Sequence, residues 1–210
     1  MTDFATLRAT MVASQLRTVG VNDPEVVAAM SAVARERFVP PGREAFAYAD
    51  AAVPLGGGRA LMEPLVTGLL LTHARIERHE RVLLIGAGTG YTAALIGRLA
   101  DSVTAVESDA GLAATARANG VTVVEAPLVE GLPDGGPYDL IYFDGAIEQL
   151  PATLVAQLKP GGRVAAVIRE AGVGRAKVGG VVGDTVVGAG VIEVSAPLLP
   201  GFAKVVEFVF

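Results

Sequence analysis

The chain has 210 residues, 51% hydrophobic and 19% charged, so it is long enough for one sizeable core and too apolar for disorder. Its formal net charge of −5 argues against a broad surface for nucleic acid or anionic membrane, and the absence of cysteine removes disulfides, thiol catalysis and thiolate metal sites together. Two histidines, His73 and His79, are too few for a His-rich zinc site, and none of the five serines lies in a G-x-S-x-G elbow. Met1-Thr2-Asp3-Phe4 has no basic start leading into an apolar run, and no apolar stretch reaches about 18 residues. Neither a secretory leader nor a spanning helix is expected, and the default location is cytoplasmic. The mean hydropathy of +0.50 fits either a well-filled core or an apolar oligomer face.

Residues 4–17 carry Phe4, Leu7, Met11, Val12 and Leu16 at helical spacing. Asn22-Asp23-Pro24 supplies a cap and a first-turn proline for a second helix over 25–34. Residues 39–60, with Pro40, Pro41, Pro54 and Gly56-Gly57-Gly58, read as an irregular arm crossing the domain. Pro64 opens a helix to about Ala74. From Arg81 the pattern alternates: strands over 82–85, 103–106, 121–124, 138–143 and 163–168, with a helix through Ala94, Leu95 and Leu99 and helices over about 109–118 and 151–158. This predicts an α/β fold with a doubly wound, mostly parallel sheet. The Gly- and Val-rich tail, 171–210, predicts antiparallel strands at one edge. The expected organisation is a single domain: a helical extension and arm over 1–60, an α/β core over 61–170 and C-terminal strands over 171–210.

Val82-Leu83-Leu84-Ile85-Gly86-Ala87-Gly88-Thr89-Gly90-Tyr91 is the most informative stretch. A strand that runs through a glycine-rich turn into a helix lets a ligand approach the main chain and offers it free amides. Glu107 closes the next strand, 21 residues after Gly86, where an acid accepts from ribose hydroxyls. Dinucleotide loops put the third glycine five residues after the first, but position 91 is Tyr and the third glycine is Gly90. The spacing favours an S-adenosylmethionine loop over a nicotinamide one.

Landmarks on both sides of this loop resemble the protein-L-isoaspartate O-methyltransferases over residues 11–168. They are Met11-Val12-x-x-Gln15-Leu16, Asp23-x-x-Val26, Arg35-Glu36-x-Phe38-Val39-Pro40, Ala47-Tyr48-x-Asp50, Pro54-Leu55-Gly56, Pro137-Tyr138-Asp139-x-Ile141 and Gln157-Leu158-Lys159-Pro160-Gly161-Gly162-Arg163. The resemblance implies a Rossmann-like methyltransferase fold, S-adenosyl-L-methionine as cofactor, isoaspartyl proteins or peptides as substrate, and methyl transfer to a free carboxylate in protein repair. A carboxylate, with a reference pKa of about 3.9, is already a nucleophile at neutral pH, so no general base is needed.

The resemblance places the cofactor on Gly86, Ala87, Gly88, Thr89, Gly90, Tyr91, Glu107, Pro127, Leu128 and Asp144, and the substrate on Arg59, Met62, Glu63 and Pro64. Three positions depart from the family. Leu84 replaces an acid that helps hold the cofactor's ammonium, Pro127 replaces one that reaches the adenine amine, and Met62 replaces the arm's serine. No catalytic side chain is therefore assigned. Glu125 is a substitute for the adenine contact, and main-chain groups for the ammonium one. Asp144 faces the crevice or caps its loop, Tyr91 packs on adenosine or on the helix, and Arg59 meets a substrate carboxylate or is solvated. Tyr48 and Asp50 shape a peptide cleft or anchor the arm, and Asp139 is structural. Two alternatives stay open: methyl transfer to another acceptor, and a catalytically inactive binding protein derived from the family.

Overall fold

The computed structural model describes residues 2–188 and 190–204. The Asp3 carboxylate accepts from the Thr6 amide and starts α1 (Phe4–Thr10). The helix expected over 4–17 then changes pitch, through a π turn over Met11–Leu16 and a 3-10 turn over Arg17–Val19. The π turn places Met11, Val12 and Leu16 in the core together. Asp23 caps α2 (Pro24–Ala32) by accepting from the amides of Glu25 and Val26.

The arm is more ordered than its composition predicts. It contains two 3-10 turns and a hairpin of β1 (Val53–Gly56) and β2 (Arg59–Leu61) joined through Gly57-Gly58. Strands of four and three residues are too short to give a readable alternation. Next come α3 (Pro64–Ala74), β3 (Arg81–Ile85), α4 (Tyr91–Leu99), β4 (Ser102–Glu107), α5 (Ala110–Ala118) and β5 (Val123–Glu125). They are followed by β6 (Tyr138–Ile147), α6 (Ala152–Val155), β7 (Leu158–Glu170), β8 (Val173–Val182), β9 (Thr185–Val187) and β10 (Gly190–Glu193).

The main sheet runs β10-β8-β7-β6-β3-β4-β5, with β9 also paired to β8. Strands β7, β6, β3, β4 and β5 are parallel; β8, β9 and β10 are antiparallel, as the tail predicted. The chain leaves β3 towards β4 and β5, then returns to the other side of β3 as β6. The C-terminal ends of β3 and β6 therefore flank the topological switch point, where open α/β sheets bind ligands.

Side chains alternate between two cores. Leu84, Leu140 and Tyr142 share one face with Met11, Leu16 and Met30 of the N-terminal extension. Leu83, Ile85, Ile141 and Phe143 share the other with Leu154, Leu199 and Phe202. Residues 196–203 do not continue the edge strands. They fold back along the end of β6, where Ala146 donates to the Pro197 carbonyl and accepts from the Leu199 amide, both at 2.8 Å. Phe202 packs edge-on against Phe143, 5.4 Å between centroids. The expected tail beyond residue 204 lies outside the described residues.

Candidate active site at the switch point

The glycine turn follows from its φ angles. Gly86, Gly88 and Gly90 sit at +80°, +54° and +97°, which side chains other than glycine's rarely adopt. The amides of Gly86 and Ala87 both donate to the Val106 carbonyl, which bends the chain out of β3. Thr89 is buried, and its hydroxyl donates to the Phe38 carbonyl at 2.6 Å, tying the turn to the N-terminal extension.

Glu107 lies at the end of β4, fully buried. Its Oε2 accepts from the Gly88 amide at 2.7 Å. Its Oε1 accepts from the amides of Ser108 and Asp109 and from Arg59 Nη1, the last at 2.7 Å. Arg59 also donates through Nη2 to the Gly86 carbonyl at 2.9 Å. It is only 6% exposed, so of the two readings of Arg59 the solvated one is overturned. A buried acid draws a long cation inward because desolvation makes either charge alone costly.

Arg59 and Leu199 fill the space beside Gly86. Arg59 Nη2 and Leu199 Cδ2 each lie 2.9 Å from where a Cβ of residue 86 would stand. Leu55 Cδ1 from β1 lies 3.2 Å from the equivalent point at Gly88. Arg59, Leu199 and Leu55 thus crowd the glycine turn with the chain's own side chains.

Asp144 extends the face of Leu84 and Tyr142. Leu84 pairs with Tyr142 across β3 and β6, and Asp144 follows Tyr142 two residues later. Its Oδ1 is buried and has no partner. Burial pushes its carboxyl up to about 6, against the opposing pull of Thr92, Arg59 and Arg35. Four more polar atoms nearby are buried without partners: Arg35 Nη1, Tyr91 OH, Thr92 Oγ1 and Tyr142 OH.

Tyr91 turns into the core. Its ring meets Phe38 edge-on at 5.5 Å and lies 4.7 Å below the Arg35 guanidinium, so it packs with the extension. Arg35 is fully buried and donates to the carbonyls of Ala47 and Met62, at 2.7 and 2.6 Å. Sequence reasoning gave Arg35 only as a family landmark, and it had no signal for Leu199 in the Gly/Val tail. Met62 is buried, Pro64 opens α3 and Glu63 is partly exposed. Burial, helped by the charge of Asp50, raises the Glu63 pKa. Tyr48 is tied to Glu36 and to Arg8, which anchors the arm.

Pro127 is exposed and Leu128 buried beyond β5. Glu125 points to Arg117 at 3.9 Å. Asp139 pairs with Lys159 and accepts the Arg81 amide, a structural role, and both histidines are exposed. Among the described residues no cluster of three His, Cys, Asp or Glu could hold a metal ion, and no helix is long and apolar enough to cross a membrane.

A glycine turn at the switch point, with an acid ending the neighbouring strand, defines a methyltransferase-type Rossmann-like fold. Residues 7–178 match the family model for protein-L-isoaspartate(D-aspartate) O-methyltransferase. A protein-L-isoaspartate O-methyltransferase of Methanoculleus marisnigri is 39% identical over 166 residues, 76% of each chain. One of Koribacter versatilis is 38% identical over 171 residues, 78% of this chain and 77% of that one. The chain belongs to this family. Two solved structures share its fold. One, a protein-L-isoaspartate O-methyltransferase, has a TM-score of 0.77 and 24% identity, covering 95% of this chain and 66% of that one. The other is a Plasmodium falciparum structure described as the same enzyme in complex with S-adenosyl-L-homocysteine. Its TM-score is 0.69 and its identity 17%, over 85% of this chain and 89% of that one.

Proposed function

We infer that this chain transfers a methyl group from S-adenosylmethionine to the free carboxylate of L-isoaspartyl residues in damaged proteins. The observation that carries this is the glycine turn and Glu107 together at the switch point of a chain that belongs to this family. We take residues 1–210 as one methyltransferase domain, because the extension and the sheet share a core.

The donor and acceptor set fits the cofactor. On this reading Glu107 accepts from ribose hydroxyls, and the Gly86 carbonyl, now bonded to Arg59, and the unpartnered Asp144 Oδ1 accept from the ammonium group. Bound there, S-adenosylmethionine supplies an electrophilic methyl on its sulfonium. The protein's part is to align the acceptor and exclude water. No residue need take a proton, because the acceptor carboxylate is ionised at neutral pH.

An isoaspartyl peptide assayed beside its aspartyl twin, with labelled cofactor, tests this. Labelling of the isoaspartyl peptide at least about 100-fold faster is expected; equal, negligible labelling of both rejects it. Occupation of the crevice by Arg59 and Leu199 favours a second reading, a binding protein without catalysis. Calorimetry with S-adenosylhomocysteine separates the two, since saturable micromolar binding removes the second.

A further inference from the structure

Arg59 spans the two acceptors that a nucleoside with an amino-acid tail needs. Oε1 of Glu107 already takes three donors, and Oε2 takes one. A carboxylate oxygen offers about two lone pairs. A ribose hydroxyl can therefore reach Oε2 as it stands, but it reaches Oε1 only after a donor leaves. Of the three donors there, two are main-chain amides fixed at the end of β4. The third is a side chain on a two-stranded hairpin, the kind of element that is marginally stable by itself. Arg59 is thus the donor that gives way.

Where the guanidinium goes follows from charge. Arg59 lies three residues before Met62 and four before Glu63, on the substrate side of the arm. An arriving carboxylate meets the paired negative charges of Asp50 and Glu63 there. It needs a cation, and Arg35 is held on the carbonyls of Ala47 and Met62. Arg59 loses both its partners when the ribose and the ammonium group replace it.

Given the methyl-transfer function inferred above, on which this rests, we propose that Arg59 couples the two substrates. With the crevice closed it occupies the cofactor's acceptors, and once displaced it becomes the cation that positions the isoaspartyl carboxylate. Cofactor binding therefore precedes and enables acceptor binding. A closed state populated at about 90% lowers the apparent cofactor affinity about tenfold.

Calorimetry with S-adenosylhomocysteine, on the wild type, Arg59→Gln and Arg59→Lys, reads the first half. Arg59→Gln is expected to bind about tenfold tighter, and Arg59→Lys in between, because one ammonium cannot span both acceptors as a guanidinium does. A merely structural arginine would give weaker binding on removal. Steady-state kinetics at saturating cofactor read the second half: KM for an isoaspartyl peptide should rise about tenfold in Arg59→Gln with kcat changed less. Unchanged or weaker S-adenosylhomocysteine binding in Arg59→Gln overturns the competitor role, and an unchanged peptide KM overturns the positioning role. If the wild type binds and methylates while both variants behave like it, only the coupling fails. If none of the three binds at millimolar ligand, the methyl-transfer function fails and the coupling with it.

Discussion

Asp144 stands on the same sheet face as Leu84, one pleat nearer the C-terminal edge and one strand over. Position 84 on β3 is leucine, and on β6 Asp144 carries a buried carboxyl oxygen without a partner. An ammonium group that would have been held from position 84 can be held from 144 instead. Asp144→Asn should then weaken S-adenosylhomocysteine binding about 10- to 100-fold, the worth of one hydrogen bond to a charged group. Adenosine, which lacks the amino-acid tail, should bind both proteins alike in the same calorimeter. An equal loss for both ligands would place Asp144 elsewhere in the site.

Restoring the family acid on β3 should fail. Leu84 is fully buried among apolar side chains, and a Glu there would be desolvated close to Asp144. Leu84→Glu is expected to cost roughly 3–5 kcal/mol of stability, as other uncompensated buried charges do. Urea unfolding measures this. A variant as stable as the wild type, with tighter cofactor binding, would show that the carboxylate has not moved to β6.

Asp144 also makes stability depend on pH. Its carboxyl is pushed up to about 6 from 3.8, mainly by burial, so the folded protein holds this proton more tightly than the unfolded chain. Its contribution is complete below about pH 4 and is lost as pH rises through about 6. Two pKa units correspond to about 3 kcal/mol. Asp144→Asn removes the titration, so the stability difference, variant minus wild type, should grow by about 2–3 kcal/mol between pH 4 and pH 7 and then level off. Paired urea melts across that range check it, and a difference independent of pH contradicts it.

The parallel strands, the glycine turn and Glu107 were legible because each rests on a local signal: an apolar run, a spacing, an acid at a strand end. The β1–β2 hairpin was not, since seven strand residues around three glycines carry no period. Arg59 and Leu199 meet at Gly86 from positions 140 residues apart in the chain, a tertiary coincidence that no pattern encodes. The departures at 84 and 62 were visible as letters. Their consequences were not, because the burial of Asp144 and of Met62 are properties of the packed sheet.

Arg163 closes the far end of α3. It donates to the carbonyls of Ala74 and Arg75 and pairs through two nitrogens with Glu80, each at 2.7 Å. Burial alone would raise the Glu80 pKa, but Arg163 and the Glu77 amide outweigh it and hold it low. The contribution of Glu80 is therefore present above about pH 4.5 and lost as pH falls further. Arg163→Ala strands a buried carboxylate and two helix-end carbonyls and should cost about 3 kcal/mol at pH 7. Its penalty should shrink in acid, which thermal melts at pH 7 and pH 4 would reveal. A penalty that stays constant would assign the loss to packing.

The loop glycines divide into one that folds the turn and one that admits the ligand. A Cβ at Gly90 meets Val121 Cγ2 at 2.9 Å and Ala116 Cβ at 3.2 Å, with φ at +97°. Gly90→Ala should destabilise the protein by about 1–3 kcal/mol, because strain and a core clash coincide. At Gly88, φ is +54°, so an alanine carries about 1–2 kcal/mol of backbone strain, but its Cβ meets only Leu55 Cδ1, at 3.2 Å, and no backbone or core atom. Gly88→Ala should melt within a few degrees of the wild type, and its Cβ should then block the close approach of a nucleoside to the main chain. Its S-adenosylhomocysteine affinity should fall at least about tenfold. Melting curves and calorimetry on the pair separate the two roles. Intact binding in Gly88→Ala would mean that the ligand does not lie against this turn.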